Sequence, residues 1–192
     1  AARGLPDVGI PQEIGRILEQ LAAIPNKARV VIDATRSKVI DFDVREILRG
    51  TGAEADWVGS NDVRIDASGV TTTELDEELC NQIRASILLS GPLLARFGTA
   101  IIPPPGGDVI GRRRLDPHLD AFRALGATVE HGRDIRITAN GGLTGTDFLM
   151  DEPSVMGTEN ALMAAALIDG TTVIRNAASE PHVQDVARML NK

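Results

Sequence analysis

The sequence contains a repeated unit, and this repeat constrains the fold more than any other feature. Segments 47–70 and 122–145 both read as a helix end, a Gly-Ala pair, a short strand, a tight turn and a second strand. The pairs Gly52-Ala53 and Gly126-Ala127 stand where a helix would stop. The second strands, VRIDA and IRITA, alternate apolar and polar residues. Each segment therefore predicts a half-buried β-hairpin after a helix.

Apolar helices are predicted between the hairpins. Residues 82–98 and 158–170 form such segments, and each is followed by a short strand, TAIIPP or TTVIRNA. The second segment is nearly all apolar, so we expect it to be buried on most sides. A further amphipathic helix, 182–192, stops where the earlier units turn at Gly-Ala, so we expect a third unit that is truncated.

These patterns predict an α/β (α+β) fold of the inside-out α/β barrel kind. Repeated helix-strand-helix-strand-strand units would place the helices at the centre and the sheets outside, because helices this apolar need cover on all sides. No low-complexity linker divides the sequence, so we expect one domain over residues 1–192.

Composition excludes several classes of function. The net charge of −7 argues against general nucleic-acid binding. No apolar run approaches the roughly 20 residues that span a bilayer, and residues 1–15 lack the pattern of a secretory signal. A single cysteine, Cys80, leaves no internal disulfide and suits a reducing compartment. We therefore expect a cytoplasmic protein with no membrane or nucleic-acid partner, in which Cys80 is a buried structural thiol.

Residues 96–122 carry the strongest chemical signal. A predicted strand is followed by a Pro-Pro-Pro-Gly-Gly loop, Asp108, a Gly-Arg-Arg-Arg run and a helix start at Asp116 or Pro117. Glycines let a backbone approach a ligand, arginines bind phosphate or carboxylate, and a helix N-terminus adds donors for an anion. The segment predicts an anion-binding loop with one carboxylate among cations. An exposed turn with solvated arginines is the alternative.

The order of these residues resembles that of the enolpyruvyl transferases that act on UDP-N-acetylglucosamine. The resemblance covers about residues 44 to 192 and rests on three stretches: IRASILLSGPLLARFG, PPPGGDVIGRRRLDPHLDAFRALGA and EPSVMGTENALMAAALIDGTTVIRNAASEPHVQD. It implies transfer of enolpyruvate from phosphoenolpyruvate to the 3′-hydroxyl of UDP-N-acetylglucosamine, the first committed step of peptidoglycan synthesis. On this basis we expect no cofactor and no metal ion.

The resemblance also implies roles for particular residues near the loop. Arg84 would line the nucleotide-sugar site, and Arg113 would contact phosphoenolpyruvate. Asp116 and His118 would lie around the uridine end of the nucleotide sugar. Without the resemblance, His118 is better interpreted as a surface histidine near a helix start.

A second group of implied site residues belongs to the later segment. Ser154, Val155 and Gly157 would lie in a loop whose backbone and hydroxyl contact the diphosphate. Glu159 and Asn160 are expected to cap or begin the helix behind that loop.

Asp108 stands where most members of this family carry a cysteine. The reaction needs a general acid there, and a carboxyl group holds a proton near neutral pH only if burial raises its pKa against the effect of nearby arginines. We hypothesise that Asp108 is the general acid. Because a carboxylate is a poor soft nucleophile, the substitution also predicts resistance to fosfomycin, an epoxide that the family's cysteine attacks.

The sequence departs from the family at its start. The family's first helix opens with Gly-Ala-Lys-Asn-Ala, whereas residues 1–43 here keep a helical apolar pattern at Ile14, Ile17, Leu18 and Leu21 without that Lys-Asn pair. The family enzyme also has a second domain that completes the cleft. The alternative function is therefore a non-catalytic fragment or altered scaffold that at most binds the nucleotide sugar. The shikimate-pathway enolpyruvyl transferase is a related reading, which the Gly-Gly-Asp-x-Ile-Gly loop fits less well.

Overall fold

The structure, a computed structural model, describes residues 29–33, 42–58, 62–107 and 114–191. The strands are β1 Arg29–Asp33, β2 Glu54–Trp57, β3 Asp62–Asp66, β4 Thr99–Ile102, β5 Thr128–His131, β6 Ile135–Thr138, β7 Asp147–Leu149 and β8 Val173–Arg175. The helices are α1 Phe42–Gly50, α2 Glu77–Cys80, α3 Ser90–Phe97, α4 Asp116–Ala124, α5 Val155–Ala165 and α6 Pro181–Leu190, with a 3₁₀ helix at Arg84–Leu89. None of the described helices is long and apolar enough to cross a membrane.

Two antiparallel sheets of three strands contain the predicted hairpins. Their strand orders are β1-β3-β2 and β4-β6-β5, so the second strand of each hairpin lies in the middle of its sheet. In β6, Ile135 and Ile137 are buried whereas Arg136 between them is exposed, as the alternating pattern predicts. A third sheet pairs β7 with β8 in parallel, and β7 was not predicted from the sequence.

The helices α3 and α5 lie at the centre of the described fold. Residues 90–94 of α3 are all buried, as are residues 157–161 of α5, because neither helix offers a polar face to solvent. The amphipathic helices α1, α4 and α6 bury one side each, at positions such as Ile47, Phe122 and Val186. The central helices and outer sheets agree with the predicted architecture.

The predicted helix over residues 82–98 is broken into two pieces. A 3₁₀ helix covers Arg84–Leu89 and continues into α3, which ends at Gly98 in a left-handed conformation, φ 71°. Before them lies the single turn of α2, where the Asp76 side chain accepts a hydrogen bond from the amide of Leu79 at 2.9 Å. Cys80 ends this turn fully buried, and burial raises the pKa of its thiol to about 11, as befits the predicted structural role.

The predicted boundary of the second apolar helix is wrong by one turn. Ser154 is the N-cap, and its Oγ accepts a hydrogen bond from the amide of Gly157 at 3.2 Å, so Val155 and Gly157 belong to the first turn of α5 rather than to a loop. Glu159 and Asn160 follow in the second turn and are buried, so they neither cap nor begin the helix.

Several sequence predictions fall outside the described residues. They include the apolar pattern at Ile14, Ile17, Leu18 and Leu21, the first hairpin's turn at Gly59-Ser60-Asn61, and the positions of Asp108 and Arg113.

Candidate functional site

The Gly-Gly pair of the predicted anion-binding loop lies directly against the start of the 3₁₀ helix. The amide of Gly106 donates to the carbonyl of Cys80 at 2.9 Å, and a Cβ on Gly106 would lie 1.6 Å from the carbonyl oxygen of Asn81. Gly107 has φ +81°, and a Cβ there would lie 2.9 Å from the amide nitrogen of Arg84. Only glycine allows this approach, which places the end of the loop beside Arg84.

Arg84 also contacts the chain where the loop ends. Its Nη2 donates a hydrogen bond to the carbonyl of Arg114 at 3.4 Å. The residues on either side of segment 108–113, Gly107 and Arg114, therefore both lie close to Arg84. Asp108 and Arg113 themselves lie outside the described residues, so their placement stays a prediction.

Arg114 joins the start of α4 to the segment before α5. Its Nε donates to Oδ2 of Asp116 at 2.9 Å, and its Nη2 lies 3.2 Å from Oδ2 of Asp151. Asp116 is the first residue of α4, as predicted. The hydrogen bond from Arg114 lowers the pKa of Asp116 and keeps its carboxylate ionised.

The N-termini of α4 and α5 come close together at this point. A Cβ on Gly157, in the first turn of α5, would lie 3.0 Å from Cβ of Pro117 in the first turn of α4. The first-turn amides of Val155 and Met156 have no acceptor within the helix, because no preceding turn exists. The N-terminus of α5 thus supplies amide donors and the positive end of its helix dipole for an anion, whereas in α4 Pro117 has no amide proton and the amides of His118 and Leu119 already donate to the carbonyl of Leu115 at 3.0 and 3.2 Å.

His118 lies beneath these helix starts, not on the surface. It is 1 % exposed, and its Nδ1 accepts a hydrogen bond from Nδ2 of Asn160 at 2.8 Å. Burial, helped by the positive charge of Arg84, lowers the pKa of His118 to about 4, so its ring is neutral with the proton on Nε2. The surface interpretation of His118 is wrong, because the first turn of α4 faces the core rather than solvent.

Asn160 is another residue of this region that sequence reasoning placed wrongly. Besides His118, its Nδ2 contacts the carbonyl of Ile87 at 2.9 Å and Oγ of Ser90 at 3.1 Å, and its Oδ1 accepts from the amide of Gly91 at 3.0 Å. Asn160 thereby connects the 3₁₀ helix, α3 and α4 to α5. The available signal was an amide directly before the apolar run ALMAAAL, since a polar group on such a buried helix is hydrogen-bonded.

The described residues thus bring together part of the predicted site. These residues stand at the neighbouring starts of three helices. Arg84 begins the 3₁₀ helix, Asp116 and His118 lie in the first turn of α4, and the start of α5 carries Ser154, Val155 and Gly157. Arg84 provides positive charge and the N-terminus of α5 provides amide donors, and both suit a small anionic ligand. The fold defines a class, an α/β domain with central helices and outer hairpin sheets, and the anion-binding loop stays a prediction for this domain.

The chain belongs to the family described as EPSP synthase (3-phosphoshikimate 1-carboxyvinyltransferase), which it matches over residues 21–192. It is 55% identical over 145 residues to UDP-N-acetylglucosamine 1-carboxyvinyltransferase of Bradyrhizobium diazoefficiens, covering 76% of this chain and 33% of that protein. It is 37% identical over 189 residues to the protein of the same name from Hydrogenovibrio crunogenus, covering 98% of this chain and 44% of that protein. The resemblance to enolpyruvyl transferases is confirmed, and the family match begins before residue 44.

A solved structure confirms the fold class. The enolpyruvyl transferase NikO from Streptomyces tendae superimposes with a TM-score of 0.70 at 24% identity, over 93% of this chain and 42% of that one. The chain therefore spans between a third and a half of the length of these proteins.

Proposed function

We propose that this chain forms one domain of an enolpyruvyl transferase that moves enolpyruvate from phosphoenolpyruvate to the 3′-hydroxyl of UDP-N-acetylglucosamine, in peptidoglycan synthesis. The observation that carries the proposal is the position of Arg84, whose backbone amide lies close to Gly107 and whose guanidinium donates to the carbonyl of Arg114. Both flanks of the segment that carries Asp108 and Arg113 therefore lie next to a cation. The names of the relatives support the choice of nucleotide sugar.

The diphosphate of the nucleotide sugar would lie at the start of α5. The Oγ of Ser154 accepts from Gly157, which leaves its hydroxyl proton available to a phosphate oxygen. The amide of Val155 and the guanidinium of Arg84 would add donors. The ionised Asp116, exposed at the start of α4, would accept hydrogen bonds from the uridine end.

His118 would act on the same ligand indirectly. The ring of His118 is only 1 % exposed and accepts a hydrogen bond from Asn160, so it would fix the first turn of α4. Because Asp116 lies in that turn, His118 would also orient Asp116. We assign His118 as a positioning residue.

In the proposed reaction, Asp108 donates a proton to the methylene carbon of phosphoenolpyruvate while the 3′-hydroxyl oxygen attacks the neighbouring carbon and passes its own proton to a basic group that the second domain would supply. The tetrahedral adduct then returns a proton from the former methylene carbon to the Asp108 carboxylate, which restores the double bond and expels phosphate, and the phosphate takes up the proton held by the basic group. Arg113 would neutralise the phosphate and carboxylate charges of phosphoenolpyruvate. A second domain of the same family would complete the cleft and exclude water during these steps.

Two assays test the function. Calorimetric titration with UDP-N-acetylglucosamine should show binding, and Arg84→Ala should weaken it at least about tenfold, since a charge-assisted contact contributes roughly 1.5–3 kcal/mol. Arg136→Ala, on the exposed face of β6, is the matched control and should bind like the parent. Absence of binding by the parent chain would refute the assignment of UDP-N-acetylglucosamine as the substrate. Tighter binding of shikimate 3-phosphate would instead favour the activity for which the family is named.

Phosphate release in the presence of both substrates then separates the enzyme from its alternative. Asp108→Asn should abolish phosphate release from the protein that carries the complete cleft while leaving nucleotide-sugar binding intact. Full turnover by Asp108→Asn would exclude Asp108 as the general acid. Binding with no phosphate release by the complete protein would favour the altered scaffold. Fosfomycin should not label the protein covalently, and rapid labelling of Asp108 would contradict this account of resistance.

A further inference from the structure

A pocket lies at the C-terminal ends of the two central helices. Its volume is about 420 Å³, and it is lined by the ends of α3 and α5 together with the segment that joins β6 to β7. Because α5 begins at the candidate site and runs for 11 residues, the pocket lies roughly 15 Å from that site. It is therefore a second cavity, distinct from the candidate site.

The preceding unit has a counterpart of this pocket, and there the space is closed. The helix ends align as ARFGTAII and LIDGTTVI, and the strand ends align as RIDASG and RITANG. Both strand-end alanines accept a hydrogen bond from the amide three residues further on, at 3.3 and 3.0 Å. The corresponding residues are Arg96 and Ile168, Phe97 and Asp169, and Ala67 and Ala139. The counterpart, lined in part by Arg96 and Phe97, has a volume of only about 10 Å³.

A guanidinium lies in the closed counterpart. Nη2 of Arg96 donates to the carbonyl of Ala67 at 3.3 Å, and Cζ of Arg96 lies 5.1 Å from the centroid of the Phe97 ring. The alkyl part of such a side chain covers apolar surface while its planar head meets the carbonyl. The chain thus packs a guanidinium on an apolar stem into this place of its repeated unit.

The open pocket has the acceptors for such a group but not the group itself. Among the described residues that line it, none is basic, and Ile168 and Asp169 stand where the preceding unit has Arg96 and Phe97. The C-terminal ends of α3 and α5 present the negative ends of their helix dipoles here, and Asp169 adds a carboxylate. Leu94 contributes apolar surface. This combination favours a cation with an apolar body.

We propose that this pocket binds a small organic cation, a guanidinium group on a short alkyl chain. The guanidinium would lie between the carboxylate of Asp169 and the carbonyl of Ala139, as Arg96 lies against Ala67 in the preceding unit. A carbonyl oxygen has two lone pairs, so Ala139 can accept from the ligand as well as from its own turn. The alkyl chain would pack against Leu94. The volume lies within the range of small-molecule pockets.

The experiment titrates the chain with butylguanidinium and with its neutral isostere butylurea, and follows the backbone amides by NMR. Butylguanidinium should shift the amides of Gly142, Thr144 and Asp169 in a saturable manner, with half-saturation at or below about 1 mM. Butylurea should bind at least about tenfold more weakly, because it has the same shape without the charge.

A pair of protein variants tests the carboxylate. Asp169→Asn should weaken the binding of butylguanidinium at least about threefold and leave that of butylurea within about twofold, since only the charged ligand loses an ion pair. Glu130→Gln removes an exposed acid on β5 outside the pocket, and it should change neither affinity.

Four results would overturn the proposal. They are no saturable shifts at up to about 10 mM butylguanidinium, equal affinity for butylurea, shifts confined to amides outside the pocket, and equal affinity of the Asp169→Asn and Glu130→Gln chains for butylguanidinium. The comparison of the two ligands uses the unaltered protein, so it decides the question even if a variant fails to fold.

Discussion

The side-chain amide of Asn160 lies 2.8 Å from Nδ1 of His118, in the interior between α5 and α4. The amide is the donor, so the histidine ring accepts at Nδ1 and carries its proton on Nε2. Through this contact the two helices whose N-termini form the candidate site share one buried polar network. The position of each helix start therefore depends on the other.

Truncation of Asn160 should destabilise the fold strongly. Asn160→Ala leaves the carbonyl of Ile87, Nδ1 of His118 and the amide of Gly91 without their partner, and unsatisfied buried groups cost roughly 1–3 kcal/mol each. We expect a loss of at least about 2 kcal/mol in the free energy of unfolding, measured by urea denaturation. Asn140→Ala, at an exposed position, should change it by less than about 0.5 kcal/mol. Equal stabilities of the two variants would contradict the network.

His118 should make stability fall in mild acid. Its folded pKa is lowered to about 4 from 6.5, so the unfolded chain binds more protons between these values. The contribution of the neutral ring is complete above pH 6.5 and is lost as the pH falls towards 4, up to roughly 3 kcal/mol. Urea denaturation from pH 7 to pH 4 should show a shallower decline for His118→Gln than for the parent chain. Parallel declines would mean that the ring is not buried in its neutral form.

Glu159 should have the opposite pH dependence. Burial, together with the charge of Glu180, raises the pKa of Glu159 to about 7 from 4.5, and Nε2 of His182 lies 3.9 Å from its Oε1. Folding then favours the protonated acid, so its stabilising contribution is complete below pH 4.5 and disappears as the pH rises through 7.

Glu159→Gln should therefore change the free energy of unfolding more favourably at pH 8 than at pH 4.5. The difference between the two changes should be up to about 2–3 kcal/mol. Thermal unfolding at the two pH values measures the difference. The same substitution at the exposed Glu78, Glu78→Gln, is the control. A variant that is equally stable relative to the parent at both pH values would rule out a raised pKa.

Gly106 should tolerate no side chain. A Cβ there would lie 1.6 Å from the carbonyl oxygen of Asn81, so Gly106→Ala must displace the loop from the 3₁₀ helix. We expect a loss of about 1–3 kcal/mol in stability and weaker nucleotide-sugar binding, because the loop moves away from Arg84. Gly50→Ala is the matched control, since a Cβ on Gly50 would meet no atom within 4 Å, and it should be neutral or slightly stabilising. Unchanged binding by Gly106→Ala would separate the loop from the ligand site.

The repeated unit made much of this fold predictable from the sequence. Gly52 and Gly126 follow their helices with positive φ, and the alternating strands pair in the middle of their sheets, because local turn chemistry and period-two burial determine both features. Strand β7 was missed, since three residues paired in parallel leave no alternation to recognise.

The site was less predictable, because its contacts join residues far apart in the chain. Glycine spacing indicated a close backbone approach at Gly106 but not its neighbour, Asn81, and Asn160 meets His118 only across the packed helices. The helix start at Ser154 was misplaced because a capping box has Glu or Gln three residues after the N-cap, whereas this sequence has Gly157 there. The resemblance to a family supplied the functional residues that local patterns left ambiguous.

Arg114 lies between Asp116 and Asp151, and this position affects how strongly the rate of ligand association should depend on ionic strength. Its charge is already offset by two carboxylates, so it adds little long-range attraction for a phosphate group. Replacing Arg114 should therefore change the ionic-strength dependence of ligand association only slightly, in contrast to the replacement of an arginine that has no acidic partners.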